Sequence, residues 1–341
     1  MKLSDNLIEQ IKKDIADKFI STNPKPQSNK IIYNYTHQVQ FKNHWNEATL
    51  ICRGLILDTD YNIIARPFKK FFNLEELNGL GLQLPNEPFD AYDKLDGSLG
   101  ILYWDNCKPL IATRNSFNGE QATIATNILH TKYPHLLDQL DQTKTYLFEI
   151  IYPENKIIID YGDTTDIFLL AVIDKETGLD CPIPNIGFPI VKKFDVSNLN
   201  DLTKIDSYNR EGFVLKYRSG FRVKVKYKEY VGLHKALNLL SLTTIWEQLS
   251  TVGDCEAIYS ILPDECYGWI KEQEDLLKKQ YIDIENICLK DFKDLVDRKT
   301  TAMYFKTCKY QSVLFSMLDN YNYGNVIWKI IKPKEIKKYK I

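Results

Sequence analysis

Ala91-Tyr92-Asp93-Lys94-Leu95-Asp96-Gly97-Ser98-Leu99-Gly100-Ile101-Leu102-Tyr103-Trp104 is the stretch on which the reading of this chain turns. Its centre, Lys94-Leu95-Asp96-Gly97-Ser98, sets a lysine on a short apolar strand, an acid two residues on, and a Gly-Ser turn leading into a second apolar strand. Alternation along a strand places Lys94 and Asp96 on one face. Gly97 lets the backbone turn sharply or approach a ligand closely. A lysine in that position faces a site rather than bulk solvent, as an amine presented to a nucleotide phosphate would. Alone, the pentapeptide reads equally well as a β-turn with an incidental lysine, so its surroundings decide.

Phe221, Val223, Val225 and Tyr227 alternate with Arg222, Lys224, Lys226 and Lys228, a period of two that predicts a half-buried strand with a cationic face. In isolation this is an edge strand whose lysines discourage pairing with another sheet. Beside Lys94 it becomes a rigid row of charges able to track a triphosphate. A free lysine titrates near ~10.4, and burial together with those cations would favour the neutral amine that attack requires. Glu149 follows the apolar run Tyr146-Leu147-Phe148, where an acid costs stability unless it is paired or bound. Pairing with a lysine and binding of a ligand both fit. Glu211 opens a similar strand after Asn209-Arg210, and its carboxylate could orient a hydrated Mg²⁺ that neutralises charge on phosphates.

Several classes are excluded. The formal charge of −1 over 341 residues removes the blanket basicity of many polyanion binders, leaving local patches at Lys69-Lys70, Lys224 to Lys228 and Lys329 to Lys340 for any polyanion contact. The seven cysteines form no C-x-x-C pair and share no metal spacing with the five histidines, which reads as reduced thiols. No apolar run reaches the ~20 residues of a membrane span, and the acidic N-terminus is no signal peptide, so a cytoplasmic protein is expected. Asp58-Thr59-Asp60 lacks the glycine and terminal glutamate of a calcium loop, and there is no phosphate-binding G-x-x-x-x-G-K-[ST] loop.

Composition shifts near Ala236. Before it, short β-branched and aromatic runs alternate with turns, interrupted by one helical stretch at Glu120 to His135. After it, Ser241 to Ser250, Glu265 to Leu295 and Thr300 to Asp319 show helical spacing, with a helix start at Pro263-Asp264. The expected layout is α+β over 1–238, with packed antiparallel sheets, then an all-helical domain over 239–341.

Lys94-Leu95-Asp96-Gly97 matches the K-x-D-G motif of covalent nucleotidyltransferases, and further segments agree in order. Arg53-Gly54-Leu55 and Ala65-Arg66-Pro67-Phe68-Lys69-Lys70-Phe71-Phe72-Asn73 lie upstream; Thr113-Arg114-Asn115-Ser116, Phe148-Glu149-Ile150, Glu211-Gly212-Phe213 and Val223-Lys224-Val225-Lys226 follow. From Tyr33 to His234 the chain resembles the ATP-dependent RNA ligases of the T-even bacteriophage tRNA-repair type. That resemblance implies an ATP-grasp-like nucleotidyltransferase fold and an RNA ligase joining 5′-phosphate and 3′-hydroxyl ends through lysyl-AMP and adenylylated RNA.

Carried over by position, Lys94 is the nucleophile for the α-phosphate of ATP, and Glu149 binds ribose. Glu211 positions Mg²⁺ or Mn²⁺, and Lys224 and Lys226 grip the α-phosphate. Tyr33, Arg53, Lys70, Phe72, Asp96, Gly97 and Arg114 complete the nucleotide site. Arg114 stands where the phage enzyme has lysine, exchanging a point charge for a planar fork. A metal position involving Glu211, Tyr230 and Asp254 extends the same comparison. The expected partner is RNA, as tRNA or single-stranded ends, with a separate kinase or phosphatase to heal the ends, no membrane, and a monomeric protein whose helical domain selects the RNA. The block Arg53 to Asn73 and the helices after residue 236 favour RNA over DNA. A DNA ligase, a capping-type enzyme and a catalytically silent RNA-binding protein stay open as alternatives.

Overall fold

Runs of alternating residues up to position 226 become three sheets in the computed structural model, which describes residues 2–155, 158–228, 230–231, 241–261 and 267–334. The first sheet is antiparallel and in sequence order: Ile20–Pro24, Lys30–Tyr35, Arg53–Asp58, Ile63–Ala65. The second runs Asp180–Cys181, Asp166–Asp174, Lys144–Ile151, Ser98–Asp105, Lys108–Ala112. The third runs Lys193–Phe194, Phe89–Asp93, Gly212–Tyr217, Arg222–Lys226, Phe72–Asn73, with the last pair parallel. The sheets are otherwise antiparallel in their described pairings.

Burial follows the alternation. Ile32, Ile56 and Ala65 of the first sheet pack against Ile101, Tyr103, Leu147 and Ile173 of the second, forming a core between the two. The outer face of the first sheet, with Tyr33, Leu55 and Leu57, is covered by Ile8 and Ile11 of the helix Asp5–Ala16. The outer face of the second, with Leu102, Phe148, Ile150 and Leu169, is covered by Ala125, Ile128 and Leu129 of the helix Glu120–Lys132. The third sheet buries Phe72, Ala91, Phe213, Leu215 and Val223 against Leu77 and Leu202.

The helix Glu120–Lys132 lies where expected, and a 3-10 turn at Pro134–Gln139 continues past it. The helix Asp5–Ala16 and the short helices His37–Phe41 and Glu47–Ile51 were not anticipated. Their polar majority hid a narrow apolar stripe, Ile8 and Ile11, that is enough to seat the first of them.

Contacts divide the chain into two compact units, Met1–His234 and Lys235–Ile341. The second is helical in its described residues: Leu242–Thr251, Glu256–Ile261, Tyr267–Asp291, Arg298–Phe305, Gln311–Leu318 and Gly324–Ile330. The segment Thr300 to Asp319, helical in its spacing, holds two helices, Arg298–Phe305 and Gln311–Leu318. Phe305, Val313, Leu314 and Ile327 close a core against Ile284 and Cys288. The expected boundary at 238/239, the helix start at Pro263-Asp264 and the lysines beyond 334 lie outside the described residues. Among the described residues, no helix is long and apolar enough to cross a membrane.

Candidate active site

Lys94 does not lie on a strand. The strand Phe89–Asp93 belongs to the third sheet and Ser98–Asp105 to the second, so residues 94–97 carry the chain from one sheet to the other. The crossover is pinned along its backbone: Lys94 N–H donates to Gly212 O (2.9 Å), Asp96 N–H to Tyr161 Oη (2.8 Å) and Gly97 N–H to Glu149 Oε1 (3.0 Å). Gly97 is required there for steric reasons. A Cβ on it would lie 2.4 Å from Ile150 O and 2.7 Å from Ile151 Cδ1, so the close approach read from the sequence is made to the protein's own second sheet.

With the strand gone, the shared face expected for Lys94 and Asp96 is gone too. Asp96 is 4% exposed and its carboxylate is committed inward: Oδ2 accepts from Ile158 N–H (2.9 Å) and Ile159 N–H (3.0 Å), and Oδ1 from Tyr230 Oη–H (2.8 Å). Lys94 Nζ instead lies 2.6 Å from Glu211 Oε2, while Glu211 Oε1 pairs with Lys226 Nζ at 3.0 Å. Glu211 is 2% exposed, and a carboxylate so desolvated is tolerated only with such partners. The charge next to the Lys94 amine is therefore a carboxylate, where the sequence had suggested lysines. Glu149 stands close enough for its carboxyl to feel both Lys94 and Glu211. Burial pushes that carboxyl up to about 7, a rise that Lys94 and the Gly97 N–H oppose and Glu211 and Asp96 reinforce.

The cations of Arg222–Lys226 each stand over an aromatic ring: Arg222 over Phe68 (4.6 Å to the centroid), Lys224 over Phe71 (5.4 Å) and Lys226 over Tyr230 (5.3 Å). Arg222 also pairs with Asp180, which Lys216 approaches at 3.4 Å, so it is drawn to the far end of the strand. Phe71 serves two cations, since Arg53 lies over the same ring at 5.9 Å. Sequence reasoning singled out Phe72, which stands under Lys70, and passed over Phe71, which precedes the strand and meets Arg53 and Lys224. Phe72 turns into the core and pairs with Val223.

Lys70 is 7% exposed and boxed by Tyr35 (5.4 Å), Trp45 (5.3 Å) and Phe72 (5.3 Å), which takes it out of the surface patch expected at Lys69-Lys70. Arg114 lies over one ring of that box, Tyr35, at 5.7 Å. Tyr33 packs in the core beneath the N-terminal helix, its ring 6.2 Å from Tyr61 and its hydroxyl pKa raised by burial. A register shift between Tyr33 and Asn34 separates it from Tyr35, the tyrosine that meets the cations. Tyr230 is buried, and its hydroxyl is spent on Asp96. Asp254 belongs to the second unit, is exposed, and accepts the Glu256 N–H at 3.1 Å. Among the described residues no three of His, Cys, Asp and Glu converge as metal ligands.

The ordered cluster around Lys94 lies inside residues 51–230, which match the sequence model of the RNA ligase family of the T4 type. The chain belongs to this RNA ligase family. One relative of the family member is the "putative bifunctional polynucleotide kinase/RNA ligase" of Autographa californica nuclear polyhedrosis virus, 25% identical over 280 residues, covering 74% of this chain and 40% of that protein. Another is the RNA ligase of Rhodothermus phage RM378, 26% identical over 172 residues, covering 38% of this chain and 39% of the phage protein. The chain thus spans about two fifths of the length of these curated relatives. An archaeal ATP-dependent RNA ligase structure superposes with a TM-score of 0.48 at 12% identity, covering 88% of this chain and 85% of that one.

Proposed function

We propose that this RNA ligase family member is an ATP-dependent enzyme that seals RNA 5′-phosphate to 3′-hydroxyl ends through a lysyl-AMP intermediate on Lys94, in RNA repair. The observation that carries the reading is the Lys94 amine held at a junction of two sheets, 2.6 Å from Glu211, whose other oxygen is held by Lys226.

The amine must lose a proton before it attacks, and Glu211 Oε2 is the carboxylate placed to receive it. Lys94 Nζ then bonds to the α-phosphorus as the bond from that phosphorus to the bridging oxygen breaks, and pyrophosphate leaves with the electron pair. Lys224 and Lys226, fixed on one strand, supply positive charge for the phosphorane-like transition state. Glu149, with one oxygen engaged by Gly97 N–H, offers the other to a ribose hydroxyl. In the second step an RNA 5′-phosphate oxygen takes the AMP, the P–N bond breaks and the amine is restored. In the third, a 3′-hydroxyl attacks the activated 5′-phosphorus, its proton leaves to solvent, and AMP departs.

Glu211, paired with Lys94 and Lys226, and Glu149, whose Oε1 accepts from Gly97 N–H, are the carboxylates that would hold a Mg²⁺ or Mn²⁺ keeping most of its ligands as water and phosphate. When bound, it would neutralise charge on the phosphates and the leaving pyrophosphate. Polynucleotide kinase chemistry, which the viral relative's name pairs with ligation, is the class of reaction that would supply the 5′-phosphate. The test is incubation with α-labelled ATP and Mg²⁺: an acid-labile, lysine-linked label is expected in the wild type and none in Lys94→Ala. A label that persists in Lys94→Ala and maps to another lysine would refute the assignment.

A further inference from the structure

Beyond the nucleotide contacts, and resting on the reading of Lys94 as nucleophile, we propose that Tyr230 is a positioning residue for adenylylation, acting through Asp96 on one side and Lys226 on the other. Its hydroxyl donates to Asp96 Oδ1 at 2.8 Å, and its ring lies 5.3 Å beneath Lys226 Nζ. Asp96 is two residues from Lys94 along the crossover, while Lys226 shares Glu211 with Lys94. These contacts close a circuit: Lys94 to Glu211, Glu211 to Lys226, Lys226 to the Tyr230 ring, the Tyr230 hydroxyl to Asp96, and Asp96 back through Leu95 to Lys94.

The remaining donors make Asp96 a fixed post for that circuit. Its other carboxylate oxygen takes the N–H groups of Ile158 and Ile159, and its own N–H is accepted by Tyr161 Oη, so the residue is bonded on both backbone and side chain. Tyr161 is in turn seated in the segment whose Asp160 exchanges two hydrogen bonds with the Asn209 side chain, at 2.9 and 2.7 Å, two residues before Glu211. Removing the Tyr230 hydroxyl leaves a buried carboxylate oxygen short of its donor and releases the crossover at its middle. The nucleophile would then sample positions away from the α-phosphate although every group touching ATP is still present. Displacements on the order of 1 Å at a reacting atom lower rates by roughly 10²-fold.

The test measures single-turnover adduct formation with α-labelled ATP in wild type, Tyr230→Phe, Asp96→Ala, the double variant and Tyr230→Leu, alongside thermal unfolding of each. Tyr230→Phe, which keeps the ring under Lys226, is expected to lower the rate at saturating ATP by about ten- to a hundred-fold with little change in KM. The double variant is expected to be no slower than Asp96→Ala alone, because Asp96→Ala already removes the acceptor of the Tyr230 hydroxyl. Tyr230→Leu is expected to raise KM as well, since Lys226 loses its platform. Wild-type rates in Tyr230→Phe would overturn the proposal and leave the ligase reading standing. Additive losses in the double variant, or a loss wholly explained by unfolded protein, would overturn it equally. No adduct in the wild type would overturn the reading of Lys94 and this proposal together.

Discussion

Gly97→Ala tests whether the crossover sets the reaction geometry. The added methyl would sit 2.4 Å from Ile150 O and 3.2 Å from Glu149 Cγ, and ordinary contact begins at 3.4 Å, so the backbone at residue 97 must retreat by about 1 Å from the second sheet. That retreat lengthens the Gly97 N–H to Glu149 bond, now 3.0 Å, and carries Lys94, three residues away, with it. Overpacking of this size costs ~1–3 kcal/mol, which for a unit of this size lowers the melting temperature by only a few degrees. A misplacement of ~1 Å at the nucleophile costs about 10²-fold in rate. The catalytic loss should therefore far exceed the loss of stability. The assay is the rate of lysyl-adduct formation at saturating α-labelled ATP, with thermal unfolding followed by circular dichroism. Gly79→Ala, where an added Cβ meets nothing within 4 Å, should change neither quantity. If Gly97→Ala is folded and adenylylates within two- or three-fold of wild type, the crossover does not govern the approach of Lys94 and the reasoning fails.

Lys224→Ala and Lys226→Ala should each slow adenylylation by ~10²- to 10³-fold, as expected for loss of a fixed charge aimed at the transition state, and Lys226→Ala, which also strips the buried Glu211 of a partner, should lower the melting temperature as well; normal rates in both at subsaturating ATP would remove the strand from the site. Because the Glu149 carboxyl is raised from its ordinary 4.5 to about 7, adenylylation should climb as pH rises through that value, and Glu149→Gln should be slow and flat across the range. The same group binds its proton more tightly folded than unfolded, so its contribution to stability is complete below about 4.5 and is lost as pH rises to about 7; urea midpoints at pH 5 and 8 should converge in Glu149→Gln. Phe71→Leu, which removes the ring shared by Arg53 and Lys224, should raise KM for ATP several-fold while sparing kcat, and an unchanged KM would show that the ring does not organise those cations.

What could be read in advance and what could not divides along the distance over which each feature is decided. The strand Arg222–Lys226, the strand Lys144–Ile151 around Glu149 and the helix Glu120–Lys132 are set by periodicities that a window of residues displays in full. Which strand joins which sheet is not such a property. Phe89–Asp93 and Ser98–Asp105 look from the sequence like two arms of one turn, yet their pairing partners, Gly212–Tyr217 and Lys144–Ile151, belong to different sheets. Hence Lys94 was placed on a strand when it occupies the gap between sheets, and Asp96 was turned toward a ligand when amides 158 and 159 claim it.

The aromatic partners were hidden for the same reason. The Lys70 box draws on Tyr35, Trp45 and Phe72, and only the last is near in sequence. Tyr33 and Tyr35 would share a face in an unbroken strand, but the register shift between Tyr33 and Asn34 leaves Tyr33 under the N-terminal helix and Tyr35 beside Lys70 and Arg114. Of the charged residues the fold brings together, Glu149 marks itself in the sequence as an acid in an apolar run and Lys226 by strand alternation, whereas Lys94 and Glu211 stand out by motif position. Phe71 and Tyr230 carry no such mark: an aromatic residue in an apolar run looks like core until a cation is found above it.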